Sequence, residues 1–311
     1  MGITVAGAAA VIDYIFRVEK LPQPGQIKAI LATDDRTGVP YCGGGAPNIA
    51  CALARLGHQV SLIYPVGEEF PGSACERSWR DLGINLDGIC AVTGEQSGSA
   101  YLFFQQDGDS MCFAFAGAAE RAGVPPADNL ADIVVIAPIL NAFTKQVLEA
   151  AIRQGCDVVL TGIAFPQVAE YFDHIHTMIV NAGEADEMCR ALGLTRPDQL
   201  AGRLNGRRLY VTHGISGSVA YFDDTKARIP VIKPVRFVDP TGAGDAYSAG
   251  VVSGLARRLD PEAAGLIGAA TASFVVEHFG GQNHSLTWKT VRQRLLEQVP
   301  RGAARLPEEM S

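Results

Sequence analysis

A strand-like segment passes into a predicted helix through the run Val238-Asp239-Pro240-Thr241-Gly242-Ala243-Gly244-Asp245-Ala246-Tyr247-Ser248-Ala249-Gly250. The small residues at 242–244 let a ligand approach the backbone closely. Their N–H groups lie where the helix predicted over Ala246–Leu259 starts, and the helix dipole attracts anions there. Asp245 stands at the rim of this anion cradle, which suits a base that takes a proton from a hydroxyl attacking a phosphate. The alternative is a glycine-rich turn with an ordinary helix-start aspartate, and the full run favours the cradle.

Around this run, short apolar segments alternate with helical ones over most of the chain. A strand is predicted over Ile3–Ala10, a helix over Pro47–Leu56, a strand over Gln59–Tyr64 and a late helix over Pro261–Glu277, where Asp260 is the expected N-cap. The alternation predicts an α/β fold with a mainly parallel sheet and helices on both faces.

Two β-rich segments interrupt this rhythm. Val11–Tyr41 is strand-like, with turns at 22–25 and at Asp34-Asp35. Ser99–Ala116 predicts a hairpin whose turn is Asp107-Gly108-Asp109. We expect the two segments to form a small accessory sheet, because such excursions from an α/β body often close over a site. Two edge hairpins without a special role are the alternative.

Composition excludes several classes of protein. Of the 311 residues, 48% are apolar and 19% are charged, so the chain can bury a core and is unlike a disordered chain. The net charge of −7 and the absence of a Lys/Arg cluster argue against binding to nucleic acid or to an anionic membrane surface. No apolar stretch approaches the roughly 18 residues of a membrane span, and the first residues predict a core strand and not a signal peptide.

The cysteines predict the compartment. There are seven, an odd number, and no two have the C-x-x-C spacing. This usage predicts reduced thiols in the cytoplasm, without a disulfide framework or a zinc site.

The run at 239–250 resembles the C-terminal signature of the ribokinase-like (phosphofructokinase-B type) sugar and nucleoside kinases. Four further motifs are similar to those of this family and follow its order, and together they cover nearly the whole chain. They are Gly43-Gly44-Gly45-Ala46-Pro47-Asn48-Ile49-Ala50-Cys51-Ala52-Leu53-Ala54-Arg55-Leu56-Gly57, Val66-Gly67-Glu68-Glu69-Phe70-Pro71-Gly72, Asn181-Ala182-Gly183-Glu184 and Val211-Thr212-His213-Gly214-Ile215-Ser216-Gly217. The resemblance implies a three-layer α/β sandwich with a small β-sheet lid. Residues 1–12, 43–98 and 117–311 would form the body, and 13–42 and 99–116 the lid.

The resemblance also implies which residues act on the acceptor and on the transferred phosphoryl group. Gly242, Ala243 and Gly244 would form the anion hole, and Asp245 would be the general base. The acceptor would be bound by Asp13, Gly43, Gly44, Gly45 and Asn48. Taken without the family, Asp13 could equally be a turn residue. The glycines do not fit a dinucleotide-binding loop, because Asn48 stands where its third glycine would be.

A further set would hold the nucleotide and the ions. The ATP-binding residues implied are Asn181, Glu184, Thr212, Gly214, Gly217, Gly281 and Asn283. Glu184 would hold Mg²⁺ through water, since magnesium keeps several waters when it bridges phosphates. Asp239, Thr241 and Ser285 would lie beside a potassium ion. Taken alone, the pair Asn181 and Glu184 is better explained as a helix cap.

The resemblance implies a cytoplasmic kinase that moves the γ-phosphoryl group of ATP to a primary hydroxyl of a nucleoside or sugar, and a homodimer formed through the lid. Two features favour a nucleoside: the ending Gly281-Gln282-Asn283-His284, which is similar to some nucleoside kinases of the family, and a set of aromatic lid residues that could stack on a base. That set is Tyr101, Phe103, Phe104, Phe113 and Phe115. The alternatives are a free-sugar kinase of the ribokinase or fructokinase type and a non-catalytic sugar or nucleotide sensor. The intact Asp245 argues against the sensor.

Overall fold

The computed structural model describes residues 2–31, 39–105, 110–163, 166–204, 208–223, 225–303 and 306–308. The strands are β1 (Ile3–Ala6), β2 (Ala10–Arg17), β3 (Pro40–Cys42), β4 (Val60–Gly67), β5 (Asn85–Val92), β6 (Gly98–Phe104), β7 (Ser110–Phe115), β8 (Ile133–Ile136), β9 (Asp157–Thr161), β10 (Ile175–Asn181), β11 (Arg208–Thr212), β12 (Ser218–Phe222) and β13 (Thr225–Ile229). The helices are α1 (Gly45–Arg55), α2 (Ala74–Asp81), α3 (Ala142–Gln154), α4 (Ala182–Ala191), α5 (Pro197–Arg203), α6 (Ala243–Ala256), α7 (Pro261–Val275), α8 (Trp288–Gln298) and α9 (Pro300–Ala303).

A nine-stranded sheet in the order β13-β12-β11-β10-β9-β8-β1-β4-β5 forms the centre of the molecule. Its strands are parallel from β11 to β5, and β11, β12 and β13 pair antiparallel at one edge. Residues of α1, α2, α6 and α7 share one apolar core with this sheet, and residues of α3, α4 and α5 share a second. Helices therefore cover both faces, which confirms the predicted α/β fold.

A smaller sheet has the order β3-β2-β6-β7. The predicted hairpin is present as the antiparallel pair β6 and β7, while its turn, Asp107-Gly108-Asp109, lies outside the described residues, as does Asp34-Asp35. Strand β2 pairs parallel with β6 and antiparallel with β3. The strand period of two places Asp13 and Ile15, both buried, on one face and Tyr14 and Phe16 on the other.

The predicted strand Ile3–Ala10 is divided between the two sheets. It ends as β1 at Ala6, and the chain re-enters a strand only at Ala10, in the smaller sheet. The crossing passes through Gly7, where a Cβ would lie 2.6 Å from the Cβ of Ala46 and 2.9 Å from the ring of Tyr64. Because β1 and the start of β2 are both buried, the sequence is apolar across this break. The end of β1 could therefore not be predicted from the apolar pattern.

Helix α6 begins three residues earlier than the predicted Ala246. Its N-cap is Gly242 with a φ of 77°, a left-handed conformation that favours glycine. The early start puts Asp245 inside the first helical turn. Further along, Gly250 packs directly on α7, where its Cβ would lie 2.6 Å from the Cα of Gly268.

The structure corrects the cysteine prediction. Cys42 on β3 and Cys75 on α2 form a disulfide with their Cα atoms 5.4 Å apart. The two residues are 33 positions apart, and only the packing of β3 against α2 brings them together. The cysteines recorded as free are Cys51, Cys90, Cys112, Cys156 and Cys189.

In the portion of the chain that the structure describes, no helix combines the length and apolarity that a membrane crossing requires.

Candidate active site

Asp245 and Asn48 meet although they are 197 positions apart. Asn48 lies in the first turn of α1, and its Nδ2 donates to Oδ2 of Asp245 at 2.8 Å. Burial raises the pKa of Asp245 to about 6, the hydrogen bond from Asn48 lowers it, and the charge of Glu184 raises it. A carboxylate with a pKa near 6 is ionised at neutral pH and still basic enough to accept a proton.

Asp13 faces the same space from β2. Its pKa is raised to about 7, mainly by burial and then by the charge of Asp245, while the backbone N–H of Gly44 lowers it. A Cβ at Gly43 would overlap the carboxyl group of Asp13, and one at Gly45 would lie 3.3 Å from Oδ1 of Asp245. The glycines therefore bound a narrow space with a carboxylate at each end, which suits a small molecule carrying several hydroxyls.

Asp239 joins the start of α6 to the turn at 280–283. Its Oδ1 accepts from the N–H of Thr241 at 2.9 Å, and its Oδ2 accepts from the N–H of Gly280 at 2.8 Å. The side chain is fully buried, and burial raises its pKa. Asp239 thus fixes the backbone next to residues 242–244, for which an anion hole is expected.

Of the three residues assigned to that hole, Gly242 caps α6 and lies against Gly281, since a Cβ at 242 would be 2.6 Å from the Cα of Gly281. The N–H of Ala243 donates to the carbonyl of Pro240 at 3.1 Å and is used within the turn. Gly244 follows in the first turn, at the positive end of a 14-residue helix.

A cleft of about 830 Å³ opens beside this helix start. The turn at 212–217, the segment at 230–237 and the start of α6 form its walls. Its lining includes Thr212, Gly214, Gly217, Ala243, Gly244, Ile232, Phe237, Tyr247 and Val276. Mostly apolar walls leading to a helix N-terminus suit a flat heterocycle whose phosphates reach the helix. His213, which replaces the apolar residue usual in the similar family motif, is exposed and also lines the cleft.

The other assigned nucleotide residues do not line this cleft. Asn181 and Glu184 form a reciprocal cap of α4: Oδ1 of Asn181 accepts from the N–H of Glu184 at 2.8 Å, and Oε2 of Glu184 accepts from the N–H of Asn181 at 2.9 Å. Gly281 lies instead against Asn48, since its Cβ would be 2.6 Å from Nδ2 of Asn48. Asn283 donates to the carbonyl of Phe279 at 2.7 Å, and Ser285 is exposed just after this turn.

The aromatic residues of the smaller sheet pack mainly on one another. The rings of Tyr14 and Tyr101 stack at 5.1 Å, and those of Phe16 and Phe103 at 4.9 Å. Since Tyr14 and Phe16 point away from the face of Asp13, these stacked rings do not line the acceptor space of their own chain. Base stacking by Tyr101 or Phe103 is therefore a wrong expectation within one chain.

Two residues of the site escaped the sequence analysis. Tyr64 donates to the carbonyl of Ala10 at 2.8 Å and accepts from the N–H of Ala9 at 3.0 Å, so it fixes the crossing that leads to Asp13. Gln282, quoted above only within the ending at 281–284, donates from its Nε2 to Oδ1 of Asn48. Tyr64 stands in an apolar strand run that gives no sign of this role.

Comparison with known protein families matches residues 3–289 to the pfkB family carbohydrate kinases. The chain belongs to this family. The match confirms the resemblance seen in the motifs, and the protein is a phosphotransferase that acts on an alcohol group.

Individual relatives agree with this assignment. The chain is 35% identical to a nucleoside kinase of Methanocaldococcus jannaschii over 94% of this chain and 96% of the relative, and 29% identical to a ribokinase of Bacillus subtilis over 94% and 99%. The crystal structure of a Methanocaldococcus jannaschii nucleoside kinase, described as an archaeal member of the ribokinase family, superposes with a TM-score of 0.83 at 33% identity, over 96% of this chain and 99% of that one. The Burkholderia thailandensis nucleoside kinase in complex with inosine shares the fold with a TM-score of 0.84 at 20% identity, over 96% and 98%.

Proposed function

We propose that this kinase transfers the γ-phosphoryl group of ATP to the primary hydroxyl of a nucleoside. The observation that carries the proposal is the position of Asp245. It lies in the first turn of the helix that ends the cleft, and it is hydrogen-bonded to Asn48 of the acceptor side. One carboxylate thus lies between a phosphate-binding helix start and a hydroxyl-binding pocket.

In the proposed reaction, Asp13 and Asn48 hold hydroxyls of the acceptor so that its primary hydroxyl lies beside Asp245. The oxygen of that hydroxyl attacks the γ-phosphorus while Asp245 takes its proton. The bond between the γ-phosphorus and the bridging oxygen breaks, and ADP leaves. The N-terminus of α6 stabilises the negative charge of the transferred group. The smaller sheet excludes water, which would otherwise hydrolyse ATP.

The nucleoside class is supported by the relatives, since two of them are named nucleoside kinases and one structure contains inosine. The experiment is a comparison of kcat/KM for inosine, adenosine, guanosine and cytidine with that for ribose and fructose, using ADP release as the readout. We expect a nucleoside to exceed every free sugar by at least about tenfold, roughly 1.4 kcal/mol of transition-state preference. A tenfold advantage for ribose or fructose would establish the free-sugar kinase instead.

We also propose that the reaction uses Mg²⁺ and that potassium raises its rate. Among the described residues, no group of three or more His, Cys, Asp or Glu side chains is arranged to hold a metal ion. Glu184 caps α4 and its charge acts on Asp245, so it is the carboxylate that would face a magnesium ion held mainly by ATP phosphates and water. Asp239, fully buried with a pKa raised by burial, suits a neighbouring monovalent cation. Equal rates in potassium and in a bulky organic cation would remove the potassium proposal.

A homodimer through the smaller sheet and a cytoplasmic location complete the proposal. Every residue of β7 is exposed, including Met111, Phe113 and Phe115, and β7 is an edge strand. An exposed edge strand is a template for pairing with another chain, and exposed apolar patches mark interaction sites. The exposed free thiol of Cys112 favours a reducing compartment, while the Cys42–Cys75 disulfide argues against one.

A further inference from the structure

The side-chain amide of Gln282 is the centre of a buried hydrogen-bonded network beneath the acceptor site. Its Oε1 accepts from the indole Nε1 of Trp79 at 2.9 Å and from the thiol of Cys51 at 3.4 Å. Its Nε2 donates to the carbonyl of Gly43 at 3.2 Å and to Oδ1 of Asn48 at 3.0 Å. Both donors and both acceptor positions of the amide are therefore used, although the segments involved are far apart in sequence.

The network has only one self-consistent orientation. An indole N–H can only donate and a backbone carbonyl can only accept, so Trp79 fixes the oxygen of Gln282 on one side and Gly43 fixes its nitrogen on the other. Because the nitrogen of Gln282 faces Asn48, the oxygen of Asn48 must point towards it. The remaining Nδ2 of Asn48 then points at Oδ2 of Asp245, 2.8 Å away.

We propose that Gln282 is a positioning residue of the kinase reaction: oriented by Trp79, it holds the Asn48 amide with its N–H and not its carbonyl towards Asp245. The inference rests on the proposed function, in which Asp245 is the base. An inverted Asn48 would place its oxygen against the carboxylate and would turn its donor away from the reacting groups.

The hydrogen bond donated by Asn48 matters because the charged groups around Asp245 are negative and raise its pKa. The charged groups that face the pair Asp13 and Asp245 are the carboxylates of Glu184 and Asp239, and each of them favours protonation of a neighbour. The hydrogen bond from Asn48 acts in the opposite direction and lowers the pKa of Asp245. The guanidinium of Arg55 is on the far side of the network, where it donates to the backbone carbonyl of Gln282 at 3.4 Å.

A double-mutant cycle tests the proposal. Gln282→Met keeps the length of the side chain and removes the amide. We expect kcat to fall about tenfold to a hundredfold, as for a lost hydrogen bond to a charged group, with the KM for ATP changed less than about twofold. The acidic limb of the kcat–pH profile should move to higher pH. In an Asn48→Ala background the same Gln282→Met substitution should change kcat less than about twofold, because the residue through which it acts is gone.

Trp79→Phe gives a second variant, which removes the indole N–H together with part of the ring, and we expect a loss of kcat of about threefold to tenfold with the same pH shift. Trp288→Phe is its matched control. Trp288 is a buried tryptophan whose indole donates to the carbonyl of Pro307 at 3.3 Å, outside the network, and its substitution should leave the profile unchanged.

Equal losses from Gln282→Met in the wild-type and Asn48→Ala backgrounds, or an unshifted acidic limb, would overturn the proposal. If Gln282→Met does not fold, an unshifted profile for Trp79→Phe overturns it in the same way. Failure of the proposed function is distinguishable, since the wild-type protein would then phosphorylate no nucleoside or sugar. A wild-type enzyme that is active and depends on Asp245, with normal Gln282 and Trp79 variants, would contradict this inference alone.

Discussion

At the scale of single residues, the site holds carboxylates in an environment that disfavours their charge. Asp13 is buried, and burial raises its pKa to about 7, against 3.8 for the free group. The folded protein therefore binds a proton more tightly than the unfolded chain between about pH 4 and pH 7. Stability falls as the pH rises through that window, and above it the ionised group costs folding free energy. Such a cost agrees with the proposed role of Asp13 in binding hydroxyls of the acceptor.

The first prediction follows from the cost in folding free energy of ionised Asp13. Asp13→Asn should raise the melting temperature at pH 8, roughly 2–6 °C for a relief of a few kcal/mol in a chain of this size, with a much smaller gain at pH 5. The exposed Asp87 offers a matched Asp87→Asn control, for which we expect no pH-dependent gain. Thermal unfolding followed by circular dichroism at the two pH values measures both. A loss of stability at pH 8 would show that Asp13 stabilises the fold in its charged form.

The site residues were predictable to different degrees. Asp245 and Asn48 lie in short motifs and Asp13 was assigned with them from the resemblance, and the structure brings the three side chains together. Gln282 and Tyr64 could not be recognised, because their partners are 234 and 54 positions away and depend on tertiary packing. For Asn181 and Glu184, the structure shows the helix cap that the sequence alone favoured. The role of Glu184 at magnesium stays a prediction.

At the scale of the elements, α6 is held by close backbone contact with α7. A Cβ at Gly250 would lie 2.6 Å from the Cα of Gly268, and one at Gly254 would lie 2.6 Å from the Cα of Ala264. Since α6 carries Asp245 in its first turn, this contact also places the proposed base.

We predict that Gly250→Ala destabilises the protein although alanine is the better helix former by roughly 1 kcal/mol. The forced separation of two helices should cost about 1–3 kcal/mol net and lower the melting temperature by roughly 2–5 °C, with a lower kcat as α6 shifts. Gly202→Ala in α5 is the control, because its Cβ would meet nothing within 4 Å, and it should be neutral or slightly stabilising. A Gly250→Ala variant as stable and active as the wild type would contradict the packing argument.

Element types were better predicted than element ends. The alternation of apolar runs and helical periods correctly predicted the parallel sheet, and Ser99–Ala116 forms the predicted hairpin. The strand-like prediction over Val11–Tyr41 was too long, because among its described residues only β2 and β3 are strands. The start of α6 was placed three residues late, because Gly242 and Gly244 look like loop residues and only the left-handed conformation of Gly242 shows where the helix begins. The break between β1 and β2 was missed for a related reason, since both strands are buried and apolar.

At the scale of the whole molecule, the smaller sheet has one face towards the body and one exposed face. Phe104 of the inner face packs with Ile15 and Phe279. On β7, Phe113 and Phe115 are 60% and 51% exposed. An exposed apolar edge of this kind is the surface through which we propose that two copies pair.

Phe113→Lys should therefore reduce dimer formation, because it places a charge on the edge strand at the proposed contact. Analytical ultracentrifugation at micromolar concentration measures the effect. Val124→Lys, at an exposed position outside the sheets, is the control and should leave the mass unchanged. A wild-type protein that sediments as a monomer, or a Phe113→Lys variant that sediments as a dimer, would contradict pairing through β7.

The central claim is that Asp245 removes the proton from the acceptor hydroxyl, and kcat of Asp245→Asn tests it most directly. The amide keeps the size of the side chain and cannot take up the proton, so kcat should fall about 10²- to 10⁴-fold while the KM for ATP changes little. Asp260→Asn, which alters another helix-start aspartate, at the N-cap of α7, should retain wild-type turnover. A kcat of Asp245→Asn within about threefold of the wild-type value would contradict the account.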